Sequence, residues 1–203
     1  VTRAGVVRFE VDGQPAQITL YASPEMHELF AHWIQMKSAG RAGEYEELVG
    51  YHLERAYVTR SELAPMNIRL EDLGRRAATP LASAGRRAFA RGDMPAAVNL
   101  LSRSVSLYPK ATSLRLELLP DLAFALLETG DLRRLVEVVE EASAAADTSG
   151  DPAFQAHAVI LAFWMRVSTD PEGWAQEGER EARRALSLFE ADGQTRAIQV
   201  SPL

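Results

Sequence analysis

The chain contains no cysteine. A disulfide framework, a thiolate zinc site and a cysteine nucleophile are therefore excluded, and a reducing, cytoplasmic setting is the expectation. Lysine is nearly missing too, with Lys37 and Lys110 the two present, so arginine carries the positive charge. Acids outnumber bases 28 to 22, giving a formal net charge of −6, and bulk charge offers no basis for nucleic-acid binding. Long apolar runs are absent. The longest, Ala158 to Met165, falls far short of the roughly 20 residues that cross a bilayer, so no membrane partner is expected. The N-terminus lacks the apolar stretch of a signal peptide. No G-x-x-x-x-G-K-[ST] loop occurs to cradle phosphates, and no G-x-S-x-G or S-x-x-K nucleophile motif is present.

What is present is a helical unit, Ala84 to Pro109. Thr79 and Pro80 read as N-cap and first residue of a helix running to Arg91. Gly92 supplies the left-handed C-cap, and Asp93 caps a second helix from Met94. Val98, Leu101, Val105 and Leu107 lie mostly on one face, the first three at spacings of three and four, and Pro109 closes the unit. Small residues at Ala84, Gly85, Ala88, Ala97 and Ser104 let the paired helices approach closely.

The unit recurs. Gly92-Asp93-Met94 is echoed by Gly130-Asp131-Leu132, with Ala123, Leu126, Leu135, Val139 and Ala142 in the matching packing slots. The step exceeds the usual ~34 residues of such repeats, which places a longer connection around Lys110 to Ser113. A third, degenerate unit follows: a helix over Ala153–Val167, apolar on nearly every side, and a partner over Glu172–Ala191. Trp164, Trp174 and Phe189 in this unit form a candidate interaction patch, because the tail beyond Gly193 is too short to cap the array.

Ahead of the unit, Gly5 to Ala22 alternates apolar and polar residues around Asp12-Gly13, which signals a β-hairpin. Ser23-Pro24-Glu25 opens a helix whose stripe of Met26, Leu29, Phe30, Trp33 and Ile34 reads as core. A second helix, Glu44–Arg60, turns Tyr45, Leu48, Val49, His52, Leu53, Ala56 and Tyr57 inward. A third runs from Ile68 to Ala78.

The slots filled by Ala84, Gly85, Ala88, Gly92, Ala97, Leu101 and Pro109 resemble those of a tetratricopeptide repeat, although the bulky first-helix aromatic is missing and Ser104 stands in place of the motif's second alanine. More widely, HELFAHWI (His27–Ile34), EYEELVGYHLERAY (Glu44–Tyr57) and AGRRAFARGDMPAAVNLLSRS (Ala84–Ser104) resemble the helical-repeat region of large bacterial regulators that carry an AAA-type ATPase module or an adenylate or guanylate cyclase domain. The resemblance implies a sensory or autoregulatory scaffold, and any activity would belong to a catalytic domain outside this chain.

Candidate chemistry is thin. His27-Glu28 with His32 misses the four-residue histidine spacing of a helical zinc site. His52 and His157 read as boundary histidines. The pairs Arg75-Arg76, Arg86-Arg87 and Arg133-Arg134 read as solvent-facing partners of nearby acids. The expectation is an all-α superhelix of antiparallel helix pairs with a short N-terminal hairpin. Residues 1–22 form the appendage, 23–78 the entry helices and 79–203 the repeats, the last one truncated. Its expected role is a non-enzymatic scaffold without cofactor or metal, binding a protein or peptide or self-associating. Gly130, Leu135 and Val139 join the first unit's residues as packing positions. The alternative is a fragment of a cyclase- or ATP-linked transcriptional regulator.

Overall fold

A computed structural model describes residues 3–11, 14–21, 23–38, 40–63, 66–109, 112–149, 152–169 and 174–191. Among these the fold is dominated by helix: α1 (Pro24–Lys37), α2 (Ala42–Leu63), α3 (Ile68–Ala90), α4 (Met94–Leu107), α5 (Ser113–Leu116), α6 (Leu119–Glu128), α7 (Leu132–Ser149), α8 (Pro152–Thr169) and α9 (Trp174–Ala191). Ahead of them the backbones of β1 (Arg3–Val11) and β2 (Gln14–Tyr21) run antiparallel, with Val7 opposite Ile18. The Asp12-Gly13 turn lies outside the described residues, as does the tail after Ala191.

The chain divides into two compact units, Val1–Arg91 with Asn99–Pro109, and Gly92–Val98 with Lys110–Leu203. In the first, consecutive helices pack antiparallel. The start of α1 meets the end of α2 through Glu25 and Arg60. The start of α2 meets the end of α3, where Arg87 bonds the Gly43 carbonyl at 2.6 Å and the Glu46 carboxylate. Contacts also reach the helix after next: Arg76 of α3 holds Glu28 of α1, and Arg103 of α4 donates through Nε to Glu54 of α2 at 3.0 Å. In the second unit α6 packs on α7 and also touches α8, while α8 packs on α7 and α9. Neighbour plus next-neighbour contact is how a row of helical hairpins builds a continuous core.

Missing side chains make the close crossings. A Cβ added to Gly50 would lie 2.6 Å from Leu81 Cγ, and one added to Gly85 would lie 2.9 Å from Leu101 Cγ. Leu81 and Leu101 are fully buried in consequence. Ser104, also fully buried, satisfies its hydroxyl by donating to the Ala78 carbonyl at 2.9 Å, so a polar residue in a small-residue slot costs the core little.

One boundary differs from the sequence expectation. There is no helix start at Thr79-Pro80: α3 runs unbroken through both. Its N-cap is Asn67, whose side chain accepts from the amides of Arg69 and Leu70, while Thr79 turns its hydroxyl back onto the Arg75 carbonyl. Proline inside a helix costs ~3 kcal/mol. The buried stripe of Leu70, Leu73, Ala77, Ala78, Leu81 and Ala84 continues on both sides of it. At about 1.5–3 kcal/mol per buried leucine, a continuous stripe offsets the break.

The connection between the first two repeats carries a short helix of its own. Lys110 and Ala111 lie outside the described residues, but Ser113–Leu116 form the short helix α5. There Arg115, itself buried, donates to Glu141 of α7 through Nε at 2.5 Å and Nη2 at 2.9 Å.

Candidate interaction surface

The repeat signature reduces to a turn made twice. Gly92 and Gly130 take φ of 76° and 74°, the left-handed region where a Cβ is strained. Each is followed by an aspartate that caps the next helix: Asp93 Oδ1 accepts from the Ala96 amide, and Asp131 Oδ1 from the Arg134 amide, both at 3.2 Å. The backbone bonds Ala97 to Asp93 and Leu135 to Asp131 correspond as well, at 2.9 and 3.0 Å. Ala84, Gly85, Ala88, Ala97, Leu101, Leu135 and Val139 are all buried, whereas Pro109 is exposed.

These residues hold the frame. On α1 a row of large apolar side chains faces solvent, and here the structure corrects the sequence reading. Of the stripe expected in the core, only Ile34 is buried. The face turned onto α2 is His27, Ala31 and Ile34, at the spacing of one helix side. Met26, Leu29, Phe30, Trp33 and Met36 lie on another arc and stand 59, 68, 46, 53 and 67% exposed. The cause is that α1 carries two apolar arcs: Ala31 is small enough to let α2 approach, so the packed face is the one with the small residue. On α2, Val49, Leu53 and Ala56 are buried, while Leu48 and Tyr51, the former expected inside, are exposed.

The two exposed sets are continuous through aromatic rings. Phe30 stacks on Trp33 with centroids 5.6 Å apart and meets the His52 ring edge-on at 4.7 Å. His52 in turn meets Tyr51 at 5.2 Å. With side chains of about 200 Å² each, this face exposes about 700–800 Å² of apolar surface, above the few hundred Å² common on monomers.

Beneath it lies a histidine pair that spacing alone did not reveal. His27 Nδ1 and His52 Nδ1 are 2.9 Å apart. His27 is buried, and its Nε2 has no hydrogen-bond partner among the described residues. Burial pushes the pKa of His27 below its ordinary value, with the Arg55 charge adding to the effect. Burial lowers His52 likewise, with His27 adding. A periodicity match between the His27 and His52 faces of two adjacent helices was the available signal.

An ion-pair cluster pins α1 in place. Arg60 reaches Glu28 at 2.7 Å and Glu25 at 3.1 Å, and Arg76 reaches Glu28 at 3.3 Å. Of the other arginine pairs, Arg75 bonds Asp72, Arg133 bonds Glu137 and Arg134 bonds Asp131. Among the described residues no group of three or more His, Cys, Asp or Glu is arranged to hold a metal. Nor is any described helix long and apolar enough to cross a membrane.

Of the patch expected at the C-terminal unit, Trp164 is 39% exposed and rests edge-on against Phe163. Phe154 is buried. The side chains of Trp174 and Phe189 lie outside the described residues.

No protein-family model matches the chain, and no curated protein matches it. Among solved structures it is similar to two from Podosopora anserina, both described as kinesin light chain nearly identical TPR-like repeats. One, a Q17M form, is 16% identical with a TM-score of 0.47, over 87% of this chain and 80% of that one. The other is 15% identical with a TM-score of 0.42, over 86% and 100%.

Proposed function

We propose that the chain is a non-enzymatic scaffold of tetratricopeptide-like helix pairs that docks another polypeptide on the exposed face of α1 and α2. The observation that carries this reading is the exposed row Met26, Leu29, Phe30, Trp33 and Met36, mounted on a helix fixed by the Arg60–Glu28–Arg76 cluster. Aromatic and methionine side chains dominate the energetically important centres of protein interfaces, and methionine adapts to a partner's shape. In this reading residues 1–22 are a hairpin appendage, 23–78 lead in, and 79–203 carry the repeats, with α3 shared between the last two. The residue-level resemblance to cyclase- and ATPase-linked regulators supports a signalling context, and the cysteine-free composition supports a cytoplasmic one.

The test compares binding of a hydrophobic dye with binding of ATP. The chain binds the dye, Trp33→Glu removes most of that binding, and ATP does not bind. Tight ATP binding by the chain alone would favour a nucleotide-dependent regulator, and dye binding unchanged by Trp33→Glu would move the docking face elsewhere.

A further inference from the structure

The order of residues along α1 specifies what fits its exposed face. Taken outward from Ala31, the helix carries Leu29 and Trp33 two residues to either side, Met26 and Met36 five to either side, and Glu25 and Lys37 six to either side. Leu29, Trp33, Met26 and Met36 thus pair apolar with apolar in both directions, and the two ends carry opposite charges. An isologous two-fold contact demands such self-complementarity, because each residue i that meets j must also meet it with the chains exchanged. In an antiparallel pair of α1 helices centred at Ala31, Met26 opposes Met36, Leu29 opposes Trp33, and Glu25 opposes Lys37. Each such pair joins apolar to apolar or acid to base.

We infer that a second copy of this chain occupies the α1 face, joined by antiparallel packing of α1 on α1 about a two-fold axis at the level of Ala31. The inference rests on the reading of that face as a docking surface and names its occupant. The exposed area agrees with it: about 700–800 Å² of apolar side chain on α1 and α2 is close to the ~800 Å² that each partner contributes to a stable interface. Glu25 pairs with Arg60 at 3.1 Å but stays 66% exposed, and Arg60 keeps Glu28 at 2.7 Å when Glu25 turns to the partner's Lys37. Leu48, Tyr51 and His52 of α2 flank the stripe and would form the rim.

The absence of cysteine makes the register directly testable. Chains carrying Met26→Cys and chains carrying Met36→Cys are mixed in a glutathione redox buffer. Antiparallel packing gives the mixed disulfide well ahead of either symmetric one, whereas predominance of the symmetric products overturns the register. Sedimentation equilibrium across the micromolar range completes the test. The unmodified chain is expected to be a dimer and Trp33→Glu a monomer of unchanged helix content. A dimer that survives Trp33→Glu overturns the inference, as does a monomeric unmodified chain. In that last case the dye separates the two claims. If Trp33→Glu still abolishes dye binding, the docking surface stands with a different occupant. If it changes nothing, the docking reading falls as well.

Discussion

His27 and His52 face each other through Nδ1 atoms 2.9 Å apart, so one ring donates a proton and the other accepts it. Two imidazolium rings would set N–H against N–H, and the fold therefore disfavours the doubly charged pair. Burial adds to this by lowering both pKa values, with Arg55 adding to the effect on His27 and His27 to that on His52.

The pair makes stability depend on pH with a definite sign. Both histidines bind protons less readily in the folded than in the unfolded chain, so below about pH 6.5 the unfolded chain takes up more protons. Their contribution is full above that value and is lost as the pH falls through it toward the lowered folded values. The urea midpoint is expected to drop between about pH 7.5 and about pH 5, and His52→Gln should flatten that drop. An equal drop in His52→Gln would assign the pH dependence to other groups.

The repeated turn gives a second expectation. A Cβ at Gly92 or Gly130 meets nothing within 4 Å, so the cost of a side chain there is backbone strain alone. Gly92→Val should destabilise by about 1–2 kcal/mol and Gly92→Asn by less, since asparagine tolerates the left-handed region. Equal unfolding midpoints for the glycine and valine chains would place the turn elsewhere.

Pro80 separates two accounts of α3. Inside a continuous helix, Pro80→Ala restores an amide that can bond the Arg76 carbonyl, and should stabilise the chain by about 1 kcal/mol or more after the loss of proline's restraint on the unfolded state. At the start of a new helix the same change would be neutral or destabilising, which a thermal melt distinguishes.

The parts of this architecture legible in the sequence are those set by local chemistry. A glycine needing positive φ followed by a capping aspartate announces itself at Gly92-Asp93 and again at Gly130-Asp131. Small residues at Gly85, Ala88 and Ser104 likewise mark a close crossing. The missed features depend on partners distant in sequence. Periodicity shows that Met26, Leu29, Phe30 and Trp33 share a face, but not whether anything covers it, and α2 packs instead on the side bearing His27, Ala31 and Ile34. The contact of His27 with His52 requires the register between α1 and α2, which neither helix encodes alone. Pro80 looks like a helix start because local propensity says so; the leucine and alanine stripe that overrides it draws its energy from α2 and α4.

The central claim is that the α1 stripe is a surface and not a core, and Trp33 tests it most directly. Urea unfolding of the Trp33→Glu chain, at protein concentrations low enough to dissociate any dimer, should give a stability within about 0.5 kcal/mol of the unmodified chain, as at other exposed positions. A loss of about 3 kcal/mol or more, the cost of truncating a buried aromatic, would mean that the stripe is packed inside the protein and would contradict the account.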